Sequence, residues 1–375
     1  MGCGNGPAGP KGVPMDVMTS RSLTRLGWLS FLCQTLIIAT GGAVRLTGSG
    51  LGCSEWPLCT PESLIPTPSL GIHGIIEFGN RTLTGVIGIV AVAVLLVTLA
   101  KVGGRRDVLH AVWFALGGVA VAIVGFAVAL PVWIPSAVLL VTVLAAAAYS
   151  LATLPERRDL TSLAWTVLAG VMAQAVVGGI AVITDLNAFV VGFHYTASLV
   201  LVCVTAAFLV RLRTQPGPHE LAVPGWYATL ARVTAVAVAV TVFFGVLTTS
   251  NGPHSGDADI VREGFDATLL SHIHSWPGYL TFALTLGLAI VAVTHQLPTR
   301  RWAVTLLVLM IVQIGVGVWQ ANASLPPLLV GIHMVLAALT SAACTVLVLR
   351  LSQPATAPAG HGEHPHDRPA SMLRA

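Results

Sequence analysis

The sequence predicts an all-α polytopic membrane protein: two pseudo-symmetric four-helix transmembrane bundles, with an extra hairpin in the first half. Three observations predict it. Of the 375 residues, 55% are hydrophobic and only 9% are charged, whereas soluble domains carry about a quarter charged residues. The apolar residues come in runs of about twenty, long enough to cross a bilayer as helices, and not in the short alternating segments of a β-barrel. Finally, a polar pattern in the first half of the chain returns in the second.

Taken in order, membrane spans are expected near 26–46, 82–101, 111–130, 132–152, 162–183, 188–210, 227–249, 275–296, 302–320 and 328–350. Basic residues fall on one side of them. Arg21 and Arg25 precede the first span, and Lys101, Arg105 and Arg106 follow the second. Arg157 and Arg158, Arg211 and Arg213, Arg300 and Arg301, and Arg350 follow the later even-numbered spans. The positive-inside rule then places both termini in the cytoplasm. The loops 47–75 and 250–271 face outside, as do short turns near 131–135, 184–187 and 321–327.

This divides the chain into a cytoplasmic tail (1–25), an N-terminal transmembrane half (26–210) containing the hairpin 111–152, a cytoplasmic linker (211–226), a C-terminal transmembrane half (227–350) and a disordered cytoplasmic tail (351–375). Residues 1–20 hold no apolar core, so no cleavable signal peptide is expected. The last tail is rich in Pro, Ala and His; His361, His364 and His366 are read as solvated. The net charge of +4 comes from loop ends. Without a basic stripe carrying interleaved aromatics, no nucleic-acid partner is expected.

The first outer region is the most polar part of the membrane domain. It reads TGGAVRLTGSGLGCSEWPLC from Thr40, then IHGIIEFGNR up to Arg81. Ionisable groups at membrane depth are costly and mark functional sites. Cys53 and Cys59 lie on the oxidising side, where a disulfide is expected. It would close a loop holding Trp56 and Pro57; the alternative is two free thiols or a metal pair. Cys33, Cys203 and Cys344 sit in apolar runs as small hydrophobes.

The internal repeat sets Gln174-AVVGGIAVITDLNAFVVGF-His194 against Gln313-IGVGVWQANASLPPLLVGI-His333, with twenty residues from Gln to His in each. GGAVRLTGSG has a weaker echo in GVLTTSNGPHSG. His274 and His333 each begin a span at the same outer depth. Two neutral imidazoles facing each other can ligate a haem iron axially; the alternative for either is a hydrogen bond to a neighbouring carbonyl. His272 points to another face and His254 sits in the outer loop, so both are expected to be solvated.

His194 is the repeat partner of His333. Its mate is sought on 73–81, where His73, Glu77, Asn80 and Arg81 share one helical face. Counted from the basic end of the helix, Asn80 matches His274, but an amide is a poor iron ligand. Either His73 ligates from one to two turns further out, or a first-half iron has His194 alone and an open sixth position. Glu77 suits acid–base work at the mouth of this site; the alternative is a simple ion pair with Arg81 or Arg45.

VRLTGSGLGCSEWPLC, IIEFGNRTLTG, QAVVGGIAVITDLNAFVVGFH, SNGPHSGDAD and QIGVGVWQANASLPPLLVGIH together resemble the haem A synthase family. The EFGNR and GPH-SGD versions are most similar to its actinobacterial members. The resemblance covers about 26–350 apart from the hairpin. It implies eight helices in two four-helix halves, with a haem b between His274 and His333 and haem O as substrate at the His194 site. It implies oxidation of the C8 methyl group of haem O, by successive hydroxylations, to the formyl group of haem A for aa3-type cytochrome oxidase. Glu77 aligns with the functionally important glutamate of an E-x-x-H-R motif, where Asn80 replaces the His. Cys53 and Cys59 align with the family's paired cysteines. Arg45 and Arg81 are expected to pair with propionates as planar forks.

The expected partners are a haem O synthase, a membrane electron donor of quinol or ferredoxin-like type, the lipid bilayer of the plasma membrane and a second copy in a homo-oligomer. Two other classes are carried. One is a di-haem b electron-transfer protein linked to quinone, with two six-coordinate haems and no need for Glu77. The other is a repeat-built transporter, which the parallel repeats and the outer-face histidines disfavour.

Overall fold

The computed structural model describes residues 16–254, 256–257, 259–260 and 266–355. The expectations for residues 1–15 and for the tail beyond 355, including its histidines, lie outside the described residues. Eleven α-helices are present among the described residues. After a short α1 (Asp16–Thr19) come α2 (Arg21–Leu46), α3 (Gly71–Val102), α4 (Arg105–Ala127), α5 (Trp133–Thr153), α6 (Arg158–Ile183) and α7 (Ala188–Leu212). The second half holds α8 (Gly225–Ser250), α9 (Ala267–Thr294), α10 (Arg300–Asn322) and α11 (Pro327–Leu349). The ten helices from α2 to α11 are long and apolar enough to cross a membrane, and the chain is a multi-pass membrane protein.

Most helices overrun their expected spans, and two start furthest ahead of them. α3 has 32 residues, roughly 48 Å at about 1.5 Å per residue, against a hydrocarbon core of about 30 Å. Its outer turns therefore carry His73, Glu77 and Asn80 on the same continuous helix as the apolar span. α9 begins at Ala267, capped by Asp266, whose side chain accepts from the N–H groups of Thr268 and Leu269. Pro277 lies inside α9, one turn past His274. Its ring removes one N–H donor and crowds the preceding turn.

Within the first half, α2 packs on α3 and α7, and α6 packs on α3 and α7. Within the second half, α8 packs on α9 and α11, and α10 on the same two helices. Apolar residues gain little by leaving lipid, so close approach at small residues drives such packing. A β-carbon at Gly170 of α6 would collide with Cδ2 of Leu201 on α7. The halves meet along α2, α7, α8 and α11. A buried cluster there contains Ile38, Val202, Met334, Ala338 and Val346.

The expected hairpin is α4–α5. It rests on α3 and α6. Gly118 lets α4 approach Thr142 of α5, where a β-carbon would lie 2.7 Å from the Thr142 methyl. On the basic side, Arg157 is almost fully buried and holds Asp159 and the carbonyl of Arg211. A two-stranded antiparallel sheet pairs β1 (His219–Leu221) with β2 (Ser352–Pro354). It ties the inter-half linker to the end of α11, so residues 352–354, expected to lie in a disordered tail, instead form a paired strand.

The repeat extends to the backbone of the outer turns. Asp185 and Leu186 adopt left-handed φ values of 49° and 54°, and Ser324 and Leu325 of 60° and 55°. Such values are uncommon outside glycine, and here they recur at equal distances from Gln174 and Gln313. In both turns the second of these residues donates its N–H five residues back, Leu186 to Ala181 and Leu325 to Gln320. The outer loops of the halves also touch: Gly50 N–H donates to the Gly256 carbonyl at 2.8 Å.

Candidate functional site

The second-half histidines face each other. The rings of His274 on α9 and His333 on α11 lie 6.2 Å apart, nearly perpendicular at 86°. They line a cavity of about 590 Å³, within the range of roughly 300–1,000 Å³ common for small-molecule and cofactor sites. His274 Nδ1–H donates to the Thr241 carbonyl at 2.9 Å. That bond fixes the proton on Nδ1 and leaves Nε2 as a lone-pair donor, the usual arrangement of a metal-ligating histidine. The Gln313 amide lies 3.2 Å from both Nε2 and the carbonyl of His333. Nδ1 of His333 is buried with no hydrogen-bond partner among the described residues.

Glycines form the wall behind the rings. A β-carbon at Gly245 would lie 2.8 Å from Cε1 of His274, and one at Gly317 would lie 3.0 Å from Cε1 of His333. Among the described residues, no group of three or more His, Cys, Asp or Glu side chains is placed to hold a metal ion. A metal taking only two imidazoles must bring other donors of its own, as a haem iron with its porphyrin does. Glycine-backed rings, an unpartnered ring nitrogen and a large cavity fit such a group.

The first half repeats these positions. Gln174 donates to the His194 carbonyl at 2.8 Å and to Ser198. Gly178 backs His194, with a β-carbon position 3.5 Å from its Cε1. Nδ1 of His194 is buried and has no partner among the described residues. Opposite α7, the place of His274 is taken by Asn80: its Oδ1 accepts from Thr40 Oγ1 at 2.8 Å and is the atom nearest a β-carbon position on Gly41. His73 sits in the first turn of α3, about 10 Å further out at 1.5 Å per residue. It is exposed, and its Nδ1 lies 2.9 Å from the buried Ser49 hydroxyl.

Glu77, Arg81 and the first outer loop form one unit. Cys53 and Cys59 are joined by a disulfide. Buried Glu77 accepts from the Cys53 N–H at 2.6 Å through Oε2, and from Arg81 at 2.5 Å through Oε1. Arg81 also donates to the carbonyls of Cys53, Glu55 and Leu58. The ion pair weighed for Glu77 is therefore formed with Arg81, and the pair clamps the disulfide loop to α3. Trp56, inside that loop, lies on Gly179, where a β-carbon would run into the indole. Gly179 adjoins Gly178, so the loop is seated beside the His194 wall.

Arg45 crosses between halves. It leaves the last turn of α2, donates Nε–H to the His254 carbonyl at 2.6 Å and also donates to the Thr249 carbonyl. It lines the second-half cavity. His272 is exposed, as expected, with Nδ1 donating to the Thr268 carbonyl. His254 differs from its expected solvated state. It is half-buried, donates Nε2–H to the Leu325 carbonyl at 2.8 Å and lines the same cavity, because the meeting of the two outer loops draws it inward.

Several residues were not singled out from the sequence. The glycine walls Gly178 and Gly317 were legible, since both lie four residues after the repeated Gln. Thr241 and Tyr195 carry no motif and emerge only from packing.

Fold and site together define a multi-pass helical membrane protein with half-buried histidines at matching positions of its two halves. Residues 24–72 match the COX15-CtaA family model, described as cytochrome oxidase assembly protein. The chain is 43% identical over 75 residues to a haem A synthase of Exiguobacterium sibiricum, covering 20% of this chain and 24% of the relative. It is 32% identical over 89 residues to a haem A synthase of Bacillus licheniformis, covering 24% and 28%. The chain thus aligns with about a quarter of the length of these curated relatives.

Proposed function

We propose that this chain is a haem A synthase, oxidising the C8 methyl group of haem O to the formyl group of haem A for aa3-type cytochrome oxidase. The observation that carries the proposal is His274 facing His333 across a large cavity, with His194 at the repeat-equivalent position of the other half. Together these are one complete two-histidine site and one half-site. In this reading haem b is the resident cofactor of the second half, and haem O is the substrate of the first.

Haem b would be held by His274 and His333, and supplies one-electron chemistry when bound. The Thr241 carbonyl keeps the proton of His274 on Nδ1, so Nε2 would be the nitrogen available to hold the iron. Gln313 and Gln174 brace the backbones of α11 and α7 at their histidines. In the first half, His194 would be the protein ligand of the substrate iron. Asn80 leaves the facing position without an imidazole, and His73 is the remaining candidate, two turns out. Glu77 would position water or move protons, and it holds the disulfide loop beside His194. Arg45 and Arg81 are assigned to propionates; each would have to share its guanidinium between a propionate and the loop carbonyls it already binds.

The arginine-rich side is proposed as cytoplasmic, which puts both termini inside and the disulfide outside a plasma membrane. A haem O synthase would supply the substrate and a quinol or ferredoxin-like donor the electrons, and a second copy would form the homo-oligomer.

The test is to co-express the chain with a haem O synthase in a host that makes no haem A, then separate the extracted haems by chromatography with mass detection. Haem A or its hydroxymethyl intermediate is the expected product. Well-expressed, haem-loaded protein that leaves haem O unconverted would instead favour a di-haem electron-transfer protein.

A further inference from the structure

Tyr195 and Met334 each follow a site histidine in the chain, and each crosses into the opposite half. The Tyr195 hydroxyl donates to the Met334 carbonyl at 3.0 Å. Tyr195 also lines the cavity of His274 and His333, although its neighbour His194 belongs to the first half. Met334 reciprocates. Its Sδ and Cε lie 3.5 Å from a β-carbon position on Gly42 of α2, and it is buried in the inter-half cluster. A hydroxyl in an apolar interface must find a partner. Here the partner is the carbonyl of Met334, the residue that follows His333.

A continuous route therefore joins the two site histidines. It runs from His194 through one peptide to the Tyr195 ring, across the hydroxyl to the Met334 carbonyl, and back one residue to His333. Any shift of α7 that accompanies ligation at His194 moves the donor of this bond, and α11 carries the acceptor. Two sites influence one another when both bias a shared element, and such an influence is reciprocal.

We propose that Tyr195 is the positioning residue that couples the His194 site to the His274–His333 site. The state of the first site then sets the electronic properties of the haem held at the second. This rests on reading both as haem-iron sites. A hydroxyl that served only to hold the halves together would change stability and leave the haem signature unmoved.

The test is a double-mutant cycle on the purified full chain with its resident haem. Wild type, H194A, Y195F and the double variant are compared by the low-spin electron paramagnetic resonance signal and the midpoint potential of that haem. The H194A substitution is expected to shift both when Tyr195 is intact and to shift neither when it is combined with Y195F. Equal shifts with and without Y195F, or none in either, would overturn the proposal while leaving the haem reading intact. A wild-type protein with no haem signal would overturn both. Should Y195F fail to assemble, 3-fluorotyrosine at position 195 keeps the hydroxyl and alters its donor strength. A changed H194A shift then supports the coupling, and an unchanged one counts against it.

Discussion

Gly317 and His333 are a close-packed pair: a β-carbon on the glycine would lie 3.0 Å from the imidazole Cε1. Gly245 stands to His274 in the same way at 2.8 Å, and Gly178 to His194 at a looser 3.5 Å. Alanine at these positions should have graded effects. Overpacking costs about 1–3 kcal/mol, so G245A should lower haem retention about fivefold or more. G317A should do so less, and G178A, at ordinary contact distance, should be tolerated. The haem-to-protein ratio after purification, compared across the three variants, checks the order.

Removing a second-half imidazole outright should be more severe. H274A or H333A is expected to abolish the low-spin haem signal of the resident cofactor. H194A should leave that haem bound, because His194 belongs to the other half. Pyridine haemochrome analysis of each purified variant distinguishes these outcomes; equal haem loss in all three would argue against two separate sites.

Asn80 occupies the first-half counterpart of His274, bonded to Thr40 and facing Gly41. The N80H variant should therefore place an imidazole opposite His194, as His274 stands opposite His333. Expected is a new six-coordinate, low-spin absorbance when haem is supplied, with the resident haem still bound. H73A should leave the first-half spectrum unaltered if His73 merely holds Ser49, and should change it if His73 is the ligand.

Glu77 has a structural duty that must be separated from a chemical one. E77A leaves the Cys53 N–H and the Arg81 guanidinium without their carboxylate. Hydrogen bonds to charged groups contribute about 1.5–3 kcal/mol, so the loop should loosen and the Cys53–Cys59 bond should become reducible at lower thiol concentration. E77Q keeps an acceptor for the Cys53 N–H and should preserve much of the loop. Loss of haem O conversion in E77Q with normal loop protection would assign Glu77 to the chemistry. Retained conversion would make it a clamp.

The spans were legible because twenty-residue apolar runs leave few alternatives, and all ten appear as helices. The repeat was legible from Gln174, His194, Gln313 and His333, and it proved deeper than the side chains, reaching the left-handed residues of both outer turns. The disulfide followed from loop position. What the sequence could not reveal depends on non-local packing. Arg45 reaches residues more than two hundred positions away. His254 is drawn inward by a loop-to-loop contact, and the Thr241 carbonyl, which orients His274, has no side-chain signature at all. Arg81 reads in the sequence as a propionate fork or a partner of Glu77, and in the structure Glu77 and three loop carbonyls occupy it.

Because α11 comes last among the described helices and brings His333, the order of synthesis matters. The first-half helices α2, α3, α6 and α7 can assemble while the ribosome is still making the second half. The facing histidine pair cannot exist until α11 has been released and inserted, and β2 cannot pair with β1 until a few residues later still. Cofactor capture in the second half thus waits for the insertion of α11, and a chain truncated before Leu349 would leave a membrane-anchored first half with an unfinished second site.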